Sequence, residues 1–299
     1  MTDETKRLAR ERMKGFCRVC PRCDGRACAG EVPGMGGLGS GSSFIRNVEA
    51  LSSISIVMKT LHDVTGPDTS CSLFGRTLDI PVLAAPVGGV VFNMTGALAE
   101  EEYLSAVVQG AGNFRTFACT GDGELDEIFD SAEKLLGAAQ GWGIPFIKPW
   151  DREMIGERIR RIERIGVPAF GMDVDAAGLV TMSKLGHSMY PKRPAELGHI
   201  AGNTSLPFIV KGIMSAEEAK AAVDAGASGI VVSNHGGRVL DSSAATVEVL
   251  PEIAEAVDGA CTVLADGGIR SGADVFKMLA LGADAVLVGR PIAIAAIGG

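Results

Sequence analysis

Apolar residues gather in eight short, dense runs along the chain, separated by stretches in which they recur every three or four positions. The runs are residues 81–87 (PVLAAPV), 114–120 (FRTFACT), 145–150 (PFIKPW), 169–175 (AFGMDVD), 207–213 (PFIVKGI), 229–235 (GIVVSNH), 261–267 (CTVLADG) and 284–290 (DAVLVGR). Their lack of a consistently polar face predicts parallel strands buried on both sides. In residues 151–167, Ile155, Ile159, Ile162 and Ile165 fall three or four apart, with Arg and Glu on the rest of the wheel, which predicts an amphipathic helix. Similar patterns predict helices over 98–110, 124–137, 215–225, 244–257 and 272–281, and the connection 176–206 is longer and less regular.

A local repeat supports the alternation. AGASGIVV (225–232) and LGADAVLV (281–288) each read as a helix end, a Gly-Ala turn and a strand. Eight strand–helix units predict an α/β protein built as a (β/α)8 TIM barrel over residues 76–299, preceded by an N-terminal extension, residues 1–75. A doubly wound sheet competes, but no GxGxxG follows the first strand. The chain runs only nine residues past Arg290, PIAIAAIGG, so the helix after strand eight should barely start. That leaves apolar surface on strands one and eight to be explained by a partner or, as favoured here, by a truncated chain.

Composition narrows the partners. With 28 Lys+Arg against 36 Asp+Glu the net charge is −8, which disfavours nucleic acid and anionic membranes. The apolar runs are too short to span a bilayer, and the charged first fifteen residues lack the apolar core of a signal peptide. A soluble cytoplasmic protein acting on a small molecule, as an assembly of identical chains, is expected.

In such a barrel, chemistry belongs at the C-terminal ends of the strands, with a phosphate site after strands seven and eight. There the chain reads ADGGIRSG and VGRP. Gly267, Gly268 and Gly289 would let backbone N–H groups approach an anion, and Arg270 and Arg290 add charge. His235 closes the sixth strand, with Lys211 in the fifth, Asp175 ending the fourth and Arg238 three residues on. A carboxylate on one imidazole nitrogen makes the other an effective general base. An arginine offers a bidentate clamp for a substrate carboxylate.

SNHGGR…LD followed by ADGGIRSGADVFKMLALGADAVLVGRP resembles the FMN-dependent α-hydroxy acid oxidase/dehydrogenase family, which includes glycolate and lactate oxidases. The likeness is dense over residues 207–291 and looser over 34–175. It implies that His235 is the base with Asp175 as its partner, that Lys211 lies by the flavin N1/O2 edge, and that Arg238 holds the substrate carboxylate. It implies further that Ala85, Pro86 and Val87 lie against the flavin ring. Ser233, Asp266, Gly267, Gly268, Arg270, Gly289 and Arg290 would complete the FMN site, most of them at its phosphate. The departures fall on the substrate side. The only tyrosines are Tyr103 and Tyr190, so none precedes the barrel. Ile147 and Pro149 stand where the family has Gln and Tyr, Asp173 replaces a threonine, and an expected arginine after it is missing. Tyr190, Lys192 and Arg193 are the candidates to substitute. The implied reaction is oxidation of a C–H bond beside a hydroxyl or an amine, with a hydride equivalent passed to flavin N5. Two other readings stay open: a flavin enzyme without net redox, resembling type 2 isopentenyl diphosphate isomerase, in which GMGGLGSG (34–41) holds a diphosphate, or a non-catalytic phosphate-binding barrel.

Cys17, Cys20, Cys23 and Cys28 are spaced C-x2-C-x2-C-x4-C, while Cys71, Cys119 and Cys261 are scattered in apolar surroundings and read as buried small residues. A tight cluster in a cytoplasmic chain points to metal rather than disulfides. An iron–sulfur cluster is favoured over zinc, whose ligand pairs are usually split by a longer loop, and over free thiols. A cluster near the flavin would offer electrons an exit other than oxygen; the acceptor is open.

Overall fold

The computed structural model describes residues 1–123, 125–180, 182 and 189–299. A short hairpin, β1 (Cys71–Leu73) and β2 (Arg76–Leu78), precedes eight parallel strands. These are β3 (Val82–Ala84), β4 (Ala118–Thr120), β5 (Gly143–Ile147), β6 (Phe170–Asp173), β7 (Phe208–Ile213), β8 (Gly229–Val232), β9 (Thr262–Ala265) and β10 (Ala285–Val288). Strand β10 pairs back onto β3 and closes the barrel.

Every apolar run contains a strand, but six of the eight stop two or three residues before the run ends. At that end the chain leaves the ladder, and the freed residues form the mouth. Inside the barrel, Leu83, Cys119, Ile144, Phe146, Ile209 and Leu264 pack with Leu73 and Leu78 of the hairpin, which plugs the barrel floor.

Eleven α-helices are described: α1 (Asp3–Arg12), α2 (Ser42–Ser53), α3 (Val90–Asn93), α4 (Glu100–Asn113), α5 (Asp126–Ala138), α6 (Arg152–Ile165), α7 (Pro194–Gly202), α8 (Ala216–Asp224), α9 (Thr246–Val257), α10 (Gly272–Ala280) and α11 (Arg290–Gly298). Helix α6 shows why the spacing rule works. Ile155, Ile159 and Ile162 are buried, and the Asp151 side chain caps the start by accepting from Met154 N at 2.9 Å. Gly166 ends it at φ +76°, a conformation that favours glycine. Each isoleucine contributes about 1.5–3 kcal/mol of burial.

Two expectations are corrected. The last helix does form, as α11, and the chain's own first helix covers it. Ala9 and Met13 are fully buried, and Arg12 Nη1 donates to the Ile297 carbonyl at 2.7 Å. A side chain at Gly298 would strike Thr5 O at 2.3 Å, so glycine is what lets α1 lie this close. Of the scattered cysteines only Cys119 is buried; Cys71 and Cys261 are half-buried. Among the described residues, no helix is long and apolar enough to cross a membrane.

Candidate active site

Side chains alternate along a strand, so counting in twos from the apolar interior layer shows what comes next at the mouth. Phe146 leads to Lys148, Ala169 by way of Gly171 to Asp173, Ile209 to Lys211, Val231 to Ser233, Leu264 to Asp266 and Leu287 to Gly289. Above an apolar layer, the barrel thus carries a charged one. Lys148 Nζ lies 2.7 Å from Asp173 Oδ2, and Lys211 Nζ lies 3.2 Å from Asp173 Oδ1 and 3.9 Å from Asp266 Oδ2. Burial alone would raise the Asp173 carboxyl, but Lys148 and Lys211 outweigh it and hold the group well below the usual carboxylate range. Lys211 is held above its usual range, against burial, by Asp173, Asp175 and Asp266. For Asp266 burial wins, and its carboxyl is raised.

Beside this layer stands His235. Its Nδ1 lies 3.0 Å from Asp175 Oδ2 and 3.2 Å from Oδ1, and its ring borders the cleft at the mouth. Its backbone sits in the left-handed region at φ +56°, which aims the ring across the barrel. The turn is held by local bonds: His235 N donates to Ser233 Oγ at 3.1 Å, and Gly237 N to Asn234 Oδ1 at 3.2 Å. Asn234 is in turn gripped by buried Asn47 of α2, whose Nδ2 donates to its Oδ1 at 2.8 Å. Below Asp175, β7 bulges at Gly212, at φ +109°, and a Cβ there would meet the Asp175 Cβ at 2.6 Å. Asp173, Asp175 and His235 lie close enough to suggest a cation site. The two ammonium groups already on Asp173 argue against one.

The cleft encloses about 170 Å³ and is lined by Ala85, Pro86, Val87, Lys211, His235, Arg238, Asp266, Gly267, Gly268, Arg270, Gly289 and Arg290. Most sequence-predicted site residues therefore share one cavity. Asp175 stands behind His235. Ser233, by contrast, is fully buried behind the wall, where its hydroxyl donates to Asp266 Oδ2 at 2.8 Å. From there it positions Asp266 and His235. The glycines also serve packing. A Cβ at Gly267 would meet Thr246 Oγ1 at 2.5 Å, and one at Gly268 the Asn47 carbonyl at 2.3 Å. Glycine is needed at both for α2 and α9 to approach, whatever lies in the cleft.

Three guanidinium groups converge here. Arg290 Nε donates to the Met35 carbonyl at 2.8 Å and Nη2 to the carbonyls of Gly36 at 3.0 Å and Gly236 at 3.1 Å. Its Cζ lies 3.7 Å above the Phe44 ring. Arg270 donates to the Cys23 carbonyl at 3.0 Å. Arg238 donates to the Gly34 carbonyl and, at 2.8 Å, to Asn93 Oδ1. Burial lowers the Arg238 pKa to about 10, and burial with the charges of Arg238 and Arg270 lowers that of Arg290 to about 9. All three lean on neutral acceptors, so the site has an excess of positive charge that an anion would relieve. The Gly-rich 34–41 segment supplies three of those acceptors, the carbonyls of Gly34, Met35 and Gly36. Turning carbonyls toward the arginines, it is no cradle for a diphosphate, which corrects that alternative.

Sequence reading missed several residues. Lys148, Asn93 and Asp122 all line the cleft. Asp122 accepts from Trp150 Nε1 at 2.6 Å and Lys148 N at 3.2 Å, and burial raises its carboxyl. The available signal was a lysine inside an apolar strand run, FIKPW. Tyr190, Lys192 and Arg193 do not reach the cleft. Lys192 donates to the Trp150 carbonyl at 2.6 Å, Tyr190 is exposed and Arg193 caps α7. Neighbouring residues 183–188 lie outside the described residues. Cys17, Cys20, Cys23 and Cys28 are not joined by disulfides and line one small cavity behind Arg290.

A family model described as FMN-dependent dehydrogenase matches residues 34–193 and 186–299. This chain belongs to that family. It is 34% identical to 4-hydroxymandelate oxidase of Amycolatopsis orientalis, over 91% of this chain and 86% of that protein. It is 32% identical to glycolate oxidase of Spinacia oleracea (84% and 75% covered) and 33% identical to L-lactate dehydrogenase of Caulobacter sp. strain K31 (88% and 83%). Among solved structures, a mandelate oxidase variant with 2-hydroxy-phenylacetamide superposes with a TM-score of 0.77 at 31% identity, covering 99% of this chain and 86% of that one. A variant bearing a C4a-OH-FMN adduct gives 0.77 at 31% identity, covering 99% and 88%. The protein is an enzyme of the FMN-dependent 2-hydroxy acid oxidase and dehydrogenase family.

The cleft of this FMN-dependent dehydrogenase suits its cofactor. Asp266 Oδ1 is buried without a hydrogen-bond partner and borders the cavity, ready to accept from a hydroxyl such as those of a ribityl chain. The excess guanidinium charge of Arg270 and Arg290 suits a phosphate. Lys211, buried deep in the barrel and held charged by three carboxylates, would give a flavin ring bound beside it a positive neighbour.

Proposed function

We propose that the enzyme oxidises a 2-hydroxy acid bearing an apolar substituent, using His235 as general base and Arg238 as the clamp on the substrate carboxylate. The observation that carries this is the Asp175–His235 pair opening onto the same cleft as a buried arginine. The Asp175 carboxylate fixes the imidazole by accepting from Nδ1 and leaves Nε2 to take a proton from substrate. Asp175 itself is held low, against burial, by His235 and Lys211, so it stays ionised for that role.

Arg238 has five N–H donors, of which two are used by Gly34 and Asn93, leaving charge and donors for a carboxylate. Met35, Phe92, Leu179 and Met182 border the same cleft and supply apolar contact, which favours an aryl or branched alkyl group over the hydrogen of glycolate. The name of the 4-hydroxymandelate oxidase relative agrees with this preference. FMN, when bound, supplies the acceptor for the substrate's hydride equivalent. Asp173, in place of the family's threonine, is paired with Lys148 at the mouth and puts an ion pair on the substrate side of the site.

Anaerobic titration of the FMN-loaded enzyme with mandelate, lactate and glycolate tests the reading. Bleaching of the oxidised flavin band, strongest with mandelate, is expected. A flavin that stays oxidised with all three acids would overturn it, and a preference for glycolate would overturn the apolar pocket alone.

A further inference from the structure

The four N-terminal cysteines have no part in the oxidation just described. They do not lie on a disordered tail. Residues 16–37 fold against the phosphate end of the cleft, with Ala29 bridging to Gly37 and the carbonyls of Met35 and Gly36 bonded to Arg290. Cys17, Cys20, Cys23 and Cys28 all face one cavity, whose remaining wall includes Phe44 and Arg290. Donors point at two of the sulfurs: Val19 N to Cys17 Sγ at 3.4 Å and Arg270 Nη2 to Cys23 Sγ at 3.4 Å. Gly25, at φ +90°, has no room for a side chain: a Cβ would meet the Phe44 ring at 2.8 Å, so the loop carrying Cys23 and Cys28 is pressed onto the barrel.

The spacing of the sulfurs decides what the cavity holds. Around one zinc ion at about 2.3 Å, four thiolates sit about 3.8 Å from one another. Among the described residues, no three of these cysteines bring their sulfurs within 4.8 Å of one another. The four cysteines border one common space without closing to the spacing of a single-ion site. A polynuclear core, which separates its cysteine ligands across several metal atoms, meets that geometry, and two successive C-x2-C steps match the ligand run of such sites. The charge also agrees. Four thiolates leave an iron–sulfur core anionic, and Arg270 and Arg290 stand against the cavity with only neutral protein acceptors.

We propose that Cys17, Cys20, Cys23 and Cys28 ligate an iron–sulfur cluster in the cavity behind Arg290. Arg290 borders both this cavity and the flavin cleft, so it is the wall the two cofactors share.

The test uses the full chain, purified without oxygen and reconstituted with ferrous iron and sulfide. Iron, acid-labile sulfide, zinc and released flavin are measured on the same sample, and electron paramagnetic resonance is recorded after dithionite reduction. Iron and sulfide in equal amounts, with a cluster signal on reduction, are expected. Cys20→Ser should lose most of the iron and sulfide while keeping its flavin, and Cys261→Ser should keep both. A chain that takes up no sulfide, or that holds one zinc per chain in preference, would overturn the proposal. So would Cys20→Ser and Cys23→Ser variants that retain the full iron content. If Cys20→Ser does not fold, the metal and sulfide content of the unaltered chain still decides. Iron and sulfide present without flavin would support the cluster while refuting the flavin site, so the two readings fail separately.

Discussion

Lys148 Nζ and Asp173 Oδ2 lie 2.7 Å apart inside the barrel, and the second Asp173 oxygen is held by Lys211 at 3.2 Å. One carboxylate thus bridges two buried ammonium groups, and an apolar replacement would leave Lys148 without its ion-pair partner and Lys211 with only the more distant Asp266. Asp173→Asn is expected to cost about 3–5 kcal/mol, the usual result of removing one partner from a buried ionic set. Asp173 is depressed in the folded state, so its contribution is present above the unfolded value of about 3.9 and is lost as pH falls below it. Denaturant melts at neutral pH and near pH 3 should therefore differ less in Asp173→Asn than in the parent. Equal stability of the two proteins at neutral pH would contradict the account.

His235→Ala should retain FMN but slow flavin reduction by about 10²–10⁴-fold, the ordinary contribution of a positioned base. Stopped-flow reduction with excess substrate measures this, and flavin content of the same sample reports folding. An unchanged reduction rate removes His235 from the chemistry.

Arg290→Ala should weaken FMN by about 1.5–3 kcal/mol, roughly ten- to a hundredfold in Kd. Quenching of flavin fluorescence on titration into apoprotein reads it directly. Affinity equal to that of the parent would mean that the phosphate lies elsewhere.

Gly212→Ala places a methyl group 2.6 Å from the Asp175 Cβ at a backbone φ of +109°, so Asp175 must move. We expect kcat to fall at least tenfold with FMN affinity unchanged, because the bulge supports the base's partner rather than the cofactor. Normal kcat in a folded variant would show that the Asp175–His235 contact is not needed.

Much of this arrangement was legible along the chain. Dense apolar runs gave the eight strands, and Lys211, Asp175 and His235 could be placed at strand ends because alternation along a strand is a local property. The spacing of Ile155, Ile159 and Ile162 gave α6 for the same reason. The same alternation placed Ser233 at the mouth, but it could not tell that its hydroxyl is engaged by Asp266. Lys148 was passed over because a strand run was read for its apolar members, and its one charge had no partner within reach along the sequence.

The sequence by itself therefore determined the eight barrel strands, most of the helices between them and several residues at strand ends, since these follow from local periodicities of two and 3.6 residues. Only the tertiary structure decided who meets whom. Arg290 reaches the Met35 carbonyl across 255 positions, α1 packs along α11 from the opposite end of the chain, and the cysteines come to rest behind an arginine of the last helix. Such contacts depend on barrel closure and on how closely backbones can approach at a few glycines. Neither leaves a periodic trace in the sequence, because the two sides of each contact are set by packing rather than by neighbouring residues.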